Sequence, residues 1–331
     1  MLAAVSSFLL LQGCSNSDLG GNTTVIPPVQ TIVNDWTRQP IDFTVDLRDV
    51  FFYDKGLGWA VGNIESVFTS SGGQRWSLAP VSEDNESVYR SVYFVTSEKG
   101  WMVGDLAGDA AKGQIAYSGI GGSYAIQQAV VDAPLNAVFF TDENTGWAAG
   151  NGGLIVYTTN GGRTWDTGDM GTTDSVYGLF FTDKTMGWAV TANGGLFHTE
   201  DGLSWNPQPS GTTNDLRAVQ FTDAGHGFIC GDHNTILIGT AGDDDTITWK
   251  KDSVTDEISS QNWKDISFID PMNGWIIGKY RTIYKTTDGG VTWEQETVDQ
   301  ASELNAIYMV SKTKGWIAGD KGTMLTYTPR D

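Results

Sequence analysis

Seven stretches of the chain share one alternation. Apolar side chains fall at every second residue for about six residues, as in Val50 and Phe52 or Val138 and Phe140. That period belongs to a half-buried β-strand. A polar turn follows each stretch, then a short run of the form Gly-Trp-apolar-apolar-Gly. The segments are LRDVFFYDKGLGWAVG (47–62), YRSVYFVTSEKGWMVG (89–104), LNAVFFTDENTGWAAG (135–150), VYGLFFTDKTMGWAVT (176–191), LRAVQFTDAGHGFICG (216–231), WKDISFIDPMNGWIIG (263–278) and LNAIYMVSKTKGWIAG (304–319). They align without a gap, and the Gly of each Gly-Trp or Gly-Phe pair recurs every 40 to 47 residues. A repeat of that length with four short strands per unit is the signature of a propeller blade. The expected architecture is all-β: a seven-bladed β-propeller of four-stranded blades over residues 30–331.

The rest of each unit supports this. A third strand is predicted at LIVYTT (154–159) or TIYKTT (282–287), and a fourth starting at Trp76, Trp165, Trp205, Trp249 or Trp293. Glycine in the second strand lets backbones approach, and the Trp after it supplies a wedge between neighbouring blades. Between third and fourth strands, Thr286 to Trp293 reads TTDGGVTW, an Asp-box pattern. Thr158 to Trp165 repeats it with Asn160 in the Asp place, Thr69 to Trp76 with Ser71, and Thr199 to Trp205 one residue shorter. Asp or Asn there bonds nearby backbone N–H groups and Gly takes positive φ, so these carboxylates read as structural. The seventh unit ends at Tyr327-Thr328-Pro329 with no Trp strand. The unassigned Asn34-Asp35-Trp36-Thr37 is expected to supply it, closing the last blade with a strand near 33–39 and removing two open edges.

Composition narrows the function. Forty acidic against twenty basic residues give a formal charge of −20, which argues against nucleic acid as ligand. Cys230, in the apolar run GFICG, reads as buried core. Cys14 ends MLAAVSSFLLLQGC, where Leu11-Gln12-Gly13-Cys14 resembles a bacterial lipobox. Residues 1–14 are read as a lipoprotein signal peptide, Cys14 as the lipidated residue and 15–29 as a flexible tether. With Ser15 after the cysteine, the expected location is the cell envelope, lipid-anchored at the periplasmic face of the outer membrane or the cell surface. His198, His226 and His233 are too few for a metal site. The sequence has no G-x-S-x-G, P-loop or C-x-x-C motif, so neither a metal nor a cofactor is expected. Asp243, Asp244 and Asp245 read as a solvated acidic loop.

The combination LxDVxF, GWAVG and T-x-DGG-x-TW resembles the photosystem II stability/assembly factor family, seven-bladed propellers related to the bacterial neuraminidase-repeat proteins. The resemblance covers about residues 30–328. It implies a propeller that binds early photosystem II reaction-centre subunits and pigment-bearing partners during assembly, and a patch of arginines near the channel mouth. The second residue of each unit is Arg48, Arg90, Asn136, Tyr177, Arg217, Lys264 or Asn305. Three of the eight arginines fall on this one repeat position. If the first strand is innermost, Arg48, Arg90, Tyr177, Arg217 and Lys264 form a partner-binding rim suited to carboxylates or an acidic peptide. Alternatively, each Arg pairs with an Asp of a neighbouring blade, such as Asp49 or Asp265. The loops after the second strand, at Asn63, Asp105, Asn151, Asp232, Lys279 and Asp320, and the inserts at 105–114 and 240–248 are further candidates.

The function expected is a non-catalytic, monomeric scaffold that binds protein partners and aids assembly of a membrane or envelope complex. A carbohydrate-binding surface protein is the first alternative; it needs exposed aromatics, whereas most Trp here occupy fixed repeat positions. A sialidase-like hydrolase is the second. It needs three dispersed arginines, a Tyr–Glu nucleophile pair and an acidic group, and its usual Arg-Ile-Pro segment is replaced here by Arg38-Gln39-Pro40.

Overall fold

The computed structural model describes residues 35–63, 66–69, 71–79, 87–118, 124–243, 246–252, 261–298 and 302–329. The segments read as signal peptide and tether, with Cys14, and Asp244 and Asp245 lie outside the described residues.

The described residues form seven four-stranded antiparallel sheets. The first strand of each, at 47–52, 88–94, 135–140, 176–181, 216–223, 263–268 and 304–311, touches the first strand of the next, and 304–311 touches 47–52. This is a closed ring of sheets around a channel, an all-β propeller.

The Gly-Trp pair explains how one sheet seats on the next. At five junctions the Trp projects toward the following sheet and stacks on the Phe near the end of its first strand, and Phe228 does the same on Phe268. Trp316 meets Phe52 at 3.3 Å between ring centroids and 5°, Trp101 meets Phe140 at 3.5 Å and 7°, and Trp147 meets Phe181 at 3.7 Å and 13°. A fourth-region Trp then closes edge-on over the same Phe, as Trp165 on Phe140 at 5.8 Å. The Gly before each Trp makes room for that ring: a Cβ on Gly146 would lie 2.4 Å from Phe140. Six of the seven junctions are thus aromatic stacks, which adds pair geometry to the burial of large apolar surface; at the seventh, Met309 takes the Phe place and Trp275 packs edge-on against Tyr327.

The last sheet has the order 36–38, 323–327, 314–319, 304–311. Trp36 pairs with Tyr327 and Arg38 with Leu325, so an early strand latches the ring as the sequence indicated. Trp36 is buried and its Nε1 donates to Glu296 Oε2 at 2.6 Å.

Three readings need correction. Fourth strands at 77–79, 166–169, 206–208 and 294–296 begin one residue after their Trp, because the Trp itself closes the Asp-box turn. The insert at 105–114 is strand rather than loop: 100–106 and 109–118 pair as an extended hairpin around Ala107-Gly108. Of the insert at 240–248, only 240–241 and 247–248 belong to strands, the ends of 235–241 and 247–252. The Asp-boxes are turn-makers as expected. Asp288 accepts from Thr292 N and Oγ1, and backbone amides of Ser204 and Leu203 hold the Asp201 carboxyl far below the ordinary range.

Candidate functional site: the channel mouth

Every first strand carries a β-bulge at the same place. In the first sheet Leu47 pairs with Gly62 and Asp49 with Val61, leaving Arg48 as the extra residue. The same slip leaves Arg90, Asn136, Tyr177, Arg217, Lys264 and Asn305 unopposed. A bulge re-aims a side chain and steepens local twist. Here it turns all seven toward one end of the channel, where they line a cavity of about 380 Å³ together with Asp232, Asn262, Trp263 and Lys279. The five expected rim residues therefore converge. The bulge also decides which later residues face inward. Asp49, Ser91 and Asp265 line the channel below the rim. Phe51, Tyr93, Phe139, Phe180 and Tyr308 form an aromatic arc deeper in, with Tyr93 and Phe139 centroids 4.6 Å apart.

The rim residues and the loops after the second strands form one set of pairs. Arg90 makes a two-pronged bond to Asp105, 2.9 Å at each oxygen. Arg217 reaches Asp232 at 2.8 Å and Asp215 at 2.9 Å, with its guanidinium 4.4 Å over the Tyr177 ring. Asn136 bonds Asn151 at 3.0 Å and Asn305 bonds Asp320 at 2.7 Å. Among the described residues Arg48 has only neutral Asn63, at 3.4 Å. In the sixth sheet both members are cationic, Lys264 and Lys279. Lys264 leans on Asn305 at 2.9 Å and Glu303 at 3.6 Å. Burial lowers its pKa, with Arg48 adding to the effect while Glu303 and Asp320 oppose it.

Pairing of the arginines with Asp49 or Asp265 does not occur. Those two carboxylates turn sideways along the wall and cap amides of the adjacent strand. Asp49 Oδ2 accepts from Val92 N at 2.9 Å, and Asp265 Oδ2 from Ile307 N at 2.8 Å. Burial pushes Asp49 up to about 6 and Asp265 up to about 7, the neighbouring Asp49 charge adding to the latter. Lys279 was visible in the sequence only as a loop residue; its place beside Lys264 follows from the bulge geometry.

Elsewhere, Cys230 is fully buried. His226 opens the strand 226–231 and pairs with Asp223 at 2.8 Å. Among the described residues no group of three or more His, Cys, Asp or Glu side chains is placed to hold a metal.

Fold and mouth together define an all-β propeller with a polar, bulge-lined channel. Its sequence is similar to Ycf48, the photosystem II assembly factor. A family profile described as photosynthesis system II assembly factor YCF48 matches residues 244–329. The photosystem II assembly lipoprotein Ycf48 of Picosynechococcus sp. is 23% identical over 98% of this chain and 94% of that protein. That of Nostoc sp. is 25% identical, but over 54% of this chain and 52% of its own length. Among solved structures, one of YCF48 bound to a D1 peptide superposes with a TM-score of 0.74 at 23% identity, covering 90% of this chain and 96% of that one. The comparisons support the likeness to photosystem II assembly factors that the repeats carry.

Proposed function

We propose that the protein is a non-catalytic seven-bladed scaffold whose channel mouth binds an acidic or carboxyl-terminal segment of a protein partner during assembly of a membrane complex. The observation that carries this reading is the charge of the mouth. Arg48, Arg90, Arg217, Lys264 and Lys279 line one cavity with a single lining carboxylate, Asp232, in a chain of net charge −20. Arg90, Arg217 and Lys264 are paired with Asp105, Asp215, Asp232 and Glu303, which leaves Arg48 and Lys279 as the cations that draw an anionic ligand to the mouth. Arg48 and Lys279 make no carboxylate contact among the described residues, so they are the groups placed to take a ligand carboxylate. The structural neighbour solved with a D1 peptide makes a peptide ligand the apt probe. Membrane attachment through Cys14 is part of the proposal, in line with the lipoprotein names of the relatives; the outer-membrane assignment rests on Ser15 alone.

The test is titration of a D1 peptide into the full chain by calorimetry, wild type against Arg48→Glu/Lys279→Glu. Neither residue packs in the core, so the double variant should melt within about 2 °C of wild type. Affinity should fall at least tenfold, and wild-type affinity should drop with added salt. Unchanged affinity removes the mouth as the site.

A further inference from the structure

Two of the Asp-box turns do more than shape their own hairpins: their glycines also form a lid on the preceding sheet. Trp147 Nε1 donates to Gly202 O at 2.7 Å, and Trp316 Nε1 donates to Gly72 O at 3.1 Å. A Cβ on Gly202 would stand 2.8 Å from the Trp147 ring. At these two junctions a glycine carbonyl and a bare Cα therefore lie on the edge of the indole, whereas Trp101, before the sheet with the 158–165 box, keeps its buried Nε1 without an acceptor among the described residues.

The fifth sheet has no Asp-box. Its third and fourth strands are joined by a chain of a different kind, AGDDDTIT (241–248), so the Trp of the fourth sheet, Trp188, receives no glycine turn. Among the described residues its indole N–H has no acceptor. Its stack on Phe221 is also the loosest of the Trp–Phe series, 4.0 Å and 30°. In place of a lid there is a groove of about 530 Å³. Its floor is apolar: the Trp188 edge, Met186, Ile247 and Trp249. Asp183 and Glu200 stand on its rim.

We propose that this groove is a docking site for a peptide turn of a protein partner, one carrying glycine and flanked by a basic side chain. Three features select that occupant. The molecule fills the equivalent socket twice with a glycine turn, and the unused Trp188 N–H is the donor such a turn satisfies. The two rim carboxylates favour a cation, as a chain of net charge −20 does generally. A sugar is disfavoured because Trp188 offers no open face: Phe221 covers one side and the His198 ring, 4.7 Å away, the other. The site lies between the fourth and fifth sheets, on residues distinct from those of the mouth, and does not depend on what the mouth binds.

The probe is a cyclised hexapeptide Thr-Asn-Gly-Gly-Arg-Thr, the sequence of the protein's own turn at 159–164. It is titrated into the ¹⁵N-labelled full chain while the indole N–H resonances are followed, Trp188→Phe assigning the signal. A saturable downfield shift of the Trp188 signal in the millimolar range or tighter is expected. Glu200→Lys, on the exposed rim, should weaken binding at least fivefold, as should exchange of the peptide Arg for Glu. No Trp188 shift at several millimolar peptide, or equal affinity for Glu200→Lys, overturns the proposal. So does an equal response to simple sugars, or a dimer that masks the signal. The double variant at the mouth should leave this titration unchanged.

Discussion

Asp49 and Asp265 show how one residue's setting becomes a property of the whole. Each is a carboxyl walled in by the channel, with burial raising its pKa to about 6 and about 7 from an ordinary 3.8. The unfolded chain therefore releases these two protons near pH 4, while the folded chain holds them until near neutrality. The fold is favoured on the acid side, and that contribution is lost as pH rises through about 7, each pKa unit being worth about 1.4 kcal/mol. His198, whose pKa burial lowers, acts in the opposite sense, so the comparison must be with a variant. Thermal unfolding of Asp265→Asn should match wild type near pH 4.5 and exceed it by a few degrees at pH 7.5. A difference that does not grow with pH would refute the assignment. In the sequence these acids looked like partners for the arginines. A bulge is invisible in an alternating run, and it alone sets Arg48 and Asp49 side by side instead of on opposite faces.

Among the elements, the Gly-Trp strand was the most legible, because its glycine answers a single steric demand. The Cβ missing at Gly58, Gly100, Gly146, Gly187 and Gly274 would in each case lie 2.4–2.5 Å from the Phe ring of the adjoining strand. Gly146→Ala should therefore force Phe140 off its stack with Trp101. A loss of about 2 kcal/mol is expected from such overpacking, read by denaturant unfolding with an unchanged slope. The hairpins were legible where an Asp-box supplied the turn. They were misread at 105–114, where extra residues lengthen two strands in register and charged residues on an exposed hairpin look like loop. The rim was legible by repeat position, while the partners of its members were not. Arg90 finds Asp105 and Arg217 finds Asp232 fifteen residues on, a span set by the bulge and the turn together.

For the molecule as a whole, the ring stands on one short join. Three residues, Trp36 to Arg38, pair with 325–327, and Trp36 packs on Tyr327 with centroids 5.0 Å apart. Its bond to Glu296 ties the sixth sheet to the seventh. Trp36→Ala should cost about 3–5 kcal/mol, the range for deleting a buried large aromatic. It should also make the 323–327 strand the first region to exchange amide hydrogens; a mutant whose fastest exchange lies elsewhere would show that the join is not the weak point. The sequence foretold this closure because a missing fourth strand and a surplus Trp segment balanced each other.

That join also sets an order in time. The residues that complete the circle are made early, and the hairpin awaiting them is made last. Six sheets can form as they leave the ribosome, each leaning on the one before. The seventh cannot, so the circle stays an open arc until residue 327 has emerged. Until then the outward edge of 323–327 and the bare strand at 36–38 are both unpaired, and protection of that one seam decides whether the newborn chain closes on itself or on a neighbour.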